Sequence, residues 1–202
     1  MTTLPVSPGD LTARTRIRDA AVALFGADGF DGTSIRAIAK AAGVSPALVI
    51  HHFGTKEELR AEVEHFLFEL FEVRMAAIAD DLPADELSLA WGEVFGSIIG
   101  PSPELRAYVR RALLEGSEAS GELLDRLLAL CDDGLRTLDQ AGALRAQTDT
   151  EWRPFQILFV ILGPLLFEPL LARHYDEPFD PELVRRRSAA THELLTRGLL
   201  ES

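Results

Sequence analysis

Cysteine is almost missing from this chain of 202 residues, and its one representative, Cys131, cannot form an internal disulfide. A long apolar run is missing too. The most apolar stretch, residues 157–167, is interrupted by Gly163 and Pro164 and falls short of the roughly 20 residues that span a membrane. The N-terminus lacks the charged-then-apolar layout of a secretory signal. We therefore expect a protein of the reducing cytoplasm.

Positive charge is scarce. The chain has 20 Lys and Arg residues against 32 Asp and Glu residues, a formal charge of −12, which disfavours a nucleic-acid partner for most of its length. The deficit is uneven, however. Residues 1–60 carry seven basic and six acidic side chains, whereas residues 61–202 carry 13 and 26. Only the first segment can lie beside a phosphate backbone without strong repulsion.

Motifs of catalysis and metal binding are also lacking. The chain contains no G-x-S-x-G, H-E-x-x-H, Walker or G-x-G-x-x-G sequence and no paired cysteines. His51 and His52 are neighbours, and adjacent side chains on a helix point about 100° apart, which does not suit a single metal ion. We expect no enzyme, no cofactor and no metal site, and keep an enzyme only as a distant alternative.

Apolar residues recur at three- and four-residue spacing, and alternation with a period of two is absent, so we expect an all-α fold of about nine helices. Residues 1–9, rich in Pro and Gly, are predicted to be a mobile arm. Thr55 and Glu58 have the spacing of a capping box and open a long helix to about Asp80. The later helical segments are predicted at roughly 84–99, 103–116, 119–141, 150–173 and 180–200.

Residues 33–53 have the layout of a helix-turn-helix. Thr33 is a suitable N-cap for a short helix, and Gly43 can take the left-handed conformation that ends it. Ser45 is a second N-cap, and Pro46 stands at the first helical position, where its missing N–H is not needed. The N-terminus of the second helix is then free to enter a major groove, which admits one α-helix.

The sequence around this motif, from Arg14 to Leu59, resembles the DNA-binding domain of the tetracycline-repressor (TetR) family almost position by position. The resemblance includes the runs G-F-D-G-T-S-I-R-A-I-A and A-G-V-S-P-A-L-V-I-H-H-F-G-T-K-E-E-L. It covers about a quarter of the chain and implies a DNA-binding domain at residues 1–60, followed by a ligand-binding and dimerisation domain at residues 61–202.

The resemblance also implies which residues meet DNA. Thr33 would touch a backbone phosphate, Arg36 a base or a phosphate, and Lys56 a phosphate. The DNA-facing positions of the recognition helix would be Ser45, Pro46, Ala47, Ile50, His51 and His52.

The recognition helix departs from the family pattern at Ile50, where the family commonly has tyrosine, and at Pro46. It contains no Arg, Asn or Gln, the usual bidentate readers of bases. We therefore expect Ala47 and Ile50 to contact thymine methyls, Arg36 to reach guanine, and His51, His52 and Lys56 to meet phosphates.

For the second domain, the resemblance implies a homodimer formed through the segments 150–173 and 180–200. It also implies a cavity for a small-molecule effector of unknown identity. Because few charges interrupt these segments, we expect a hydrophobic or amphiphilic effector that releases a repressor from a palindromic operator. The aromatic and sulfur side chains available to line the cavity are Phe71, Met75, Trp91, Phe95, Tyr108, Trp152, Phe155 and Phe159. An activator, or a dimer that binds DNA without any ligand, remains open.

Overall fold

The computed structural model describes residues 8–79, 87–142, 144 and 149–197, and within them it contains ten α-helices and no strand. The all-α prediction is confirmed. The helices are α1 (Pro8–Gly32), α2 (Ile35–Ala42), α3 (Pro46–Phe53), α4 (Lys56–Ala79), α5 (Leu87–Ile99), α6 (Pro103–Leu114), α7 (Glu118–Gln140), α8 (Arg153–Leu166), α9 (Glu168–Leu171) and α10 (Pro181–Arg197). Residues 1–7 of the predicted arm lie outside the described residues, and α1 already begins at Pro8.

The segment 150–173, predicted as one helix, is two helices. Helix α8 contains Pro164 and ends at Leu166, and the short α9 follows after Phe167. Pro169 explains the break, because it has no N–H to bond to the carbonyl group four residues earlier.

The chain divides into two compact units. Unit 1 comprises Met1–Glu69 and Glu104–Ala112, and unit 2 comprises Leu70–Pro103 and Leu113–Ser202. Most of α6 therefore belongs with the N-terminal helices, which the sequence pattern did not indicate. The functional boundary that the sequence analysis set at residue 60 stays a prediction.

Unit 1 is held by an apolar core from four helices. Its fully buried side chains include Ile17, Ala21, Phe25, Ile38, Val49, Leu59 and Val63. Gly26 lets α6 come close to α1, because a Cβ atom there would lie 2.8 Å from the backbone nitrogen of Tyr108. The guanidinium of Arg111 donates hydrogen bonds to the carbonyl groups of Gly26 and Ala27, at 3.0 and 2.8 Å.

Tyr108 lies in the interior of unit 1 and is only 3% exposed. Its hydroxyl donates to Oε1 of Glu64 at 3.2 Å, and Nε of Arg60 donates to the same oxygen at 3.0 Å. Burial, and after it the nearby Glu64 carboxylate, raises the pKa of Tyr108 above its ordinary value. The placement of Tyr108 in an effector cavity is therefore not supported, since its side chain is used to join α4 and α6.

Unit 2 contains two close helix pairs, α5 with α10 and α7 with α8. Glycines make the first contact possible: a Cβ atom on Gly92 would lie 2.8 Å from Oγ of Ser188, and one on Gly96 would collide with Val184. Gly134 of α7 similarly leaves room for the indole ring of Trp91. None of the described helices is both long and apolar enough to cross a membrane.

Candidate DNA-binding surface and effector cavity

The turn between α2 and α3 is built as the sequence predicts. Gly43 has φ 67° and ψ 39°, the left-handed conformation, and its N–H donates back to the carbonyl oxygens of Ala39 and Lys40. Two residues later the Ser45 hydroxyl accepts the N–H of Leu48 at 3.2 Å, and Pro46 occupies the first turn of α3. Cap and turn together fix where α3 begins.

Helix α3 has one buried and one exposed face. Val49 and Phe53 point into the core, whereas Ala47 is exposed and 55% of Ile50 is accessible to solvent. A large β-branched side chain on the surface gains nothing from water, so its exposure needs a partner or another reason. Among the other predicted DNA-facing residues, those fully on the surface are Ser45, Pro46 and His51.

His52 is only half-buried, and its ring meets that of His51 edge-on with 5.4 Å between the ring centres. In the described part of the chain no group of three or more His, Cys, Asp or Glu side chains is arranged to hold a metal ion. The two rings therefore stand as neighbouring imidazoles at the end of α3.

The N-cap of α2 is Ser34, whose hydroxyl accepts the N–H of Ala37 at 3.1 Å, so the prediction of Thr33 is wrong by one residue. Thr33 is 3% exposed, and its hydroxyl donates to the carbonyl oxygen of Gly29 at 2.8 Å. Its position does not support a contact with phosphate. Ser34 is exposed and is the better candidate for that contact.

Lys56 is half-buried at the start of α4. Its ammonium donates to the carbonyl oxygens of Phe30 at 2.9 Å and Thr33 at 3.1 Å, and Nζ lies 4.2 Å from the centre of the Phe30 ring. The lysine therefore joins the start of α4 to the end of α1 and to Thr33 just after it. Carbonyl groups at the end of a helix have no N–H partner within the helix. Its predicted phosphate contact stays a prediction, and at most one of its three N–H groups is left for it.

Three other cations are better placed for phosphates. Arg16, Arg36 and Lys40 are exposed, and none of them forms an ion pair or hydrogen bond within the described residues. Arg36 and Lys40 lie one turn apart on α2, and Arg16 reaches towards Gly43. Arg16 and Lys40 were not predicted to contact DNA. The signal available in the sequence was the higher proportion of basic residues in residues 1–60 than in the rest of the chain.

The capping box at the start of α4 is confirmed. The Glu58 carboxylate accepts the N–H of Thr55 at 2.7 Å, and the Thr55 hydroxyl accepts the N–H of Glu58 at 3.1 Å. The hydrogen bond from the Thr55 backbone, with that of its side chain, lowers the pKa of Glu58 below its ordinary value. The carboxylate is thus held in its charged form at the helix N-terminus.

Unit 2 contains a cavity among α5, α7, α8 and α10, with about 40 Å³ of empty space. Its wall is formed by Trp91, Gly92, Phe95, Leu138, Ile157, Val160, Ile161, Arg187, Ser188, Thr191 and Leu195. Trp91 and Phe95 are thus the two predicted effector contacts that reach it, and their contact with an effector stays a prediction. The α10 side of the wall was not predicted from the sequence, because Arg187, Ser188 and Thr191 are not aromatic.

The remaining predicted effector contacts lie elsewhere. The rings of Trp152 and Phe155 stack with 4.9 Å between their centres, and Phe159 meets Trp152 edge-on at 6.0 Å. Trp152 and Phe159 are about half exposed, and none of the three lines the cavity. Phe71 and Met75 of α4 are half-buried and do not line it either.

Large apolar side chains are concentrated on the surface of the C-terminal segments. The exposed ones between residues 152 and 195 are Trp152, Phe159, Phe167, Leu170, Tyr175, Leu194 and Leu195. All of these except Tyr175 lie in the segments 150–173 and 180–200, which the resemblance predicted to form the dimer interface.

The family model described as "Bacterial regulatory proteins, tetR family" matches residues 17–63. The HTH-type transcriptional regulatory protein RaaS of Mycobacterium tuberculosis is 39% identical over 196 residues, which cover 95% of this chain and 88% of that protein. The similarity thus extends from the helix-turn-helix through both units.

Solved structures of similar fold include the transcriptional regulator FadR of Bacillus subtilis in complex with stearoyl-CoA. Its TM-score is 0.76 at 20% identity, covering 92% of this chain and 99% of that one. AibR in complex with isovaleryl coenzyme A and operator DNA has a TM-score of 0.62 at 19% identity, covering 91% and 98%. At these identities the two structures establish a common fold.

Proposed function

The chain belongs to the TetR family of transcriptional regulators, and from this we propose that it is a dimeric repressor that an acyl compound releases from a palindromic operator. One observation carries the proposal: α3 presents Ala47, Ile50 and His51 on the surface. The same unit exposes Arg16, Arg36 and Lys40, whose side chains make no ion pair or hydrogen bond within the described residues. A helix with such a face, followed at once by Gly54 and a capped α4, suits entry into a major groove.

The contacts with DNA fall into two classes in this proposal. Ala47 and Ile50 meet thymine methyl groups, which lie in the major groove and are recognised by apolar side chains. Ser34, Arg36, Lys40 and Arg16 contact phosphates, which fixes the register of α3 on the duplex but does not read sequence. Arg36 is also long enough to reach a guanine at the edge of the groove.

Two recognition helices one turn of DNA apart, about 34 Å, require a two-fold dimer. The exposed apolar side chains of α8, α9 and α10 supply a surface that a second copy would bury. Part of this surface is contiguous, because the exposed ring of Trp152 contacts that of Phe159, and contiguous apolar surface is typical of an interface. We therefore propose that Trp152 and Phe159 lie in or beside the interface between the two copies.

The effector proposed for unit 2 carries an acyl chain. Two regulators of the same fold are described in complex with acyl thioesters of coenzyme A, and the cavity wall here is apolar on the α5, α7 and α8 sides. The cavity volume of about 40 Å³ has room for only a few water molecules. We therefore propose that the cavity widens when an acyl chain binds.

The release of DNA is proposed to be a population shift. Helix α4 is continuous from Lys56 to Ala79, and its first part belongs to unit 1 while its last part belongs to unit 2. An effector that binds only the opened cavity stabilises the conformation in which α4 has moved. The two α3 helices of the dimer then no longer match the spacing of the grooves, and affinity for DNA falls.

The test is selection of bound duplexes from a random pool, followed by titration of the selected duplex without ligand, with dodecanoate and with dodecanoyl-CoA. We expect a palindromic duplex with half-sites one helical turn apart. We also expect at least one of the two acyl compounds to weaken its binding. If no sequence is enriched, the proposed recognition of DNA is wrong. If affinity for the duplex is equal with and without acyl ligands, the proposed release of DNA by the effector is wrong.

A transcriptional activator remains the second candidate, because it would use the same DNA-binding surface. The position of the selected operator relative to a promoter decides between repressor and activator. We propose no catalytic role for Cys131, because it is buried and burial raises its pKa to about 11, which keeps the thiol protonated. A regulator that binds chromosomal DNA is expected in the cytoplasm.

A further inference from the structure

Among the described residues that line the cavity in unit 2, one has a charged side chain. Arg187 of α10 stands among apolar residues of α5, α7 and α8, and burial lowers its pKa below the ordinary value. A guanidinium nevertheless stays charged in proteins. Residues 61–202 carry twice as many acidic as basic side chains, so a cation inside the cavity wall runs against the charge of this part of the chain.

Arg187 has no counter-charge within the described part of the chain. Its Nη1 donates to the carbonyl oxygen of Pro178 at 3.3 Å, and its guanidinium carbon lies 5.1 Å from the centre of the Phe179 ring. These contacts hold the side chain but do not neutralise it. A half-buried cation without a carboxylate partner is stabilised by any anion that enters beside it.

Two hydroxyl groups line the cavity on the same helix. Ser188 is 5% exposed, and neither its hydroxyl nor that of Thr191 makes a hydrogen bond within the described residues. Buried hydroxyls are ordinarily paired, so a buried one that faces a cavity is available to a ligand. Ser188 lies close to α5 at Gly92, where a Cβ atom would be 2.8 Å from Oγ, and both residues line the cavity.

We propose that Arg187, Ser188 and Thr191 form a carboxylate-binding site, and that the effector is a free amphiphilic carboxylic acid rather than its thioester. A guanidinium and two hydroxyls offer several donors to the two oxygens of a carboxylate. The apolar chain of the acid then lies against Trp91, Phe95 and Ile161. This inference rests on the proposed binding of an acyl effector in unit 2 and adds which end of it the protein recognises.

The experiment uses Trp91 as the reporter. The chain has two tryptophans, so the full-length variant Trp152→Phe leaves only the one in the cavity wall. Its fluorescence is titrated, below micellar concentrations, with dodecanoate, methyl dodecanoate and dodecanoyl-CoA. Dodecanoate should bind about tenfold more tightly than its methyl ester, which keeps the chain but lacks the charge.

Two neighbouring arginines provide a matched pair of variants. Arg187→Gln should weaken dodecanoate about tenfold and leave the methyl ester unchanged. Arg186→Gln, on the exposed side of the same helix, should change neither. If Arg187→Gln does not melt cooperatively, Arg187→Lys replaces it. Lysine keeps the charge but loses the planar fork, so binding of dodecanoate should be weaker than in the parent but tighter than that of the ester.

Equal affinity for dodecanoate and its methyl ester would overturn the inference. So would equal effects of the two glutamine variants, or binding of dodecanoyl-CoA that depends on Arg187 while dodecanoate does not bind. Each variant is also titrated with the selected duplex in the absence of ligand. Failure of the parent and of every variant to bind DNA would contradict the proposed function. The fluorescence titrations test the carboxylate site independently of that result.

Discussion

The ammonium group of Lys56 lies 2.9 Å from the carbonyl oxygen of Phe30 and 4.2 Å from the centre of its ring. The family resemblance implies that Lys56 contacts a phosphate, whereas these distances show that its side chain stabilises the contact between the start of α4 and the end of α1. The two roles predict different results when the lysine is removed.

We expect Lys56→Ala to lower the free energy of unfolding by about 2 kcal/mol, because two charged hydrogen bonds and a cation–π contact are lost. Denaturant unfolding measures this loss. Lys40→Ala removes an exposed side chain that makes no hydrogen bond or ion pair within the described part of the chain. It should leave stability unchanged but reduce the salt slope of DNA binding by about 0.9, the value for one phosphate. A Lys40→Ala variant with the parental salt slope would remove Lys40 from the DNA-binding surface.

The capping box of α4 should make stability depend on pH. Hydrogen bonds from Thr55 lower the pKa of Glu58. The contribution of Glu58 to stability is therefore fully present above the ordinary pKa of a glutamate, roughly 4, and is lost below it, as the pH falls through the lowered pKa. Glu58→Gln keeps an acceptor oxygen but does not titrate. The difference between the unfolding midpoints of the parent and Glu58→Gln should therefore shrink on acidification, and a constant difference would contradict this account.

The contact between α5 and α10 should tolerate no added methyl group. Gly96→Ala places a Cβ atom against Val184, and such overpacking costs about 1–3 kcal/mol of stability. Gly121→Ala is the control, because a Cβ atom there meets open space and an alanine inside α7 should stabilise the protein by about 0.5–1 kcal/mol. The thermal unfolding midpoints of both variants measure these effects. Equal changes in the two variants would mean that α5 and α10 lie further apart than described.

The exposed face of the C-terminal helices should hold the dimer. Phe159→Glu puts a charge among apolar side chains that are proposed to be buried against a second copy, and we expect mainly monomer by sedimentation equilibrium. Leu114→Glu is the control, since Leu114 is 65% exposed but lies outside α8, α9 and α10. A Phe159→Glu variant that remains dimeric would place the interface elsewhere.

Local chemistry made much of the fold predictable. Gly43, Ser45 and the pair Thr55 and Glu58 act on backbone groups within four residues, so spacing alone identified the turn and both helix starts. The one-residue error at Thr33 arose because two hydroxyl residues stand side by side. Only the buried hydrogen bond from Thr33 to Gly29 separates them, and that bond depends on the break of α1 at Gly29.

Contacts between distant residues were not predictable. The spacing of Tyr108 along its helix is that expected of a residue lining a cavity. The structure instead places its hydroxyl against Glu64, a residue 44 positions earlier in the chain. Phe95 and Phe159 likewise look equivalent in sequence, yet one lines the cavity and the other is 52% exposed. An aromatic side chain suits a core, a cavity or an interface equally well, and only the packing of the helices decides which of them it joins.

The most direct test of the account asks whether Ile50 meets a thymine methyl group in the major groove. Each thymine of the selected duplex is replaced in turn by deoxyuridine, which removes only that methyl group, and affinity is measured for the parent and for Ile50→Ala. The account predicts at least one symmetric pair of positions where the replacement weakens the parent by about 1 kcal/mol but leaves Ile50→Ala unchanged. Equal losses in the two proteins at every thymine would contradict it.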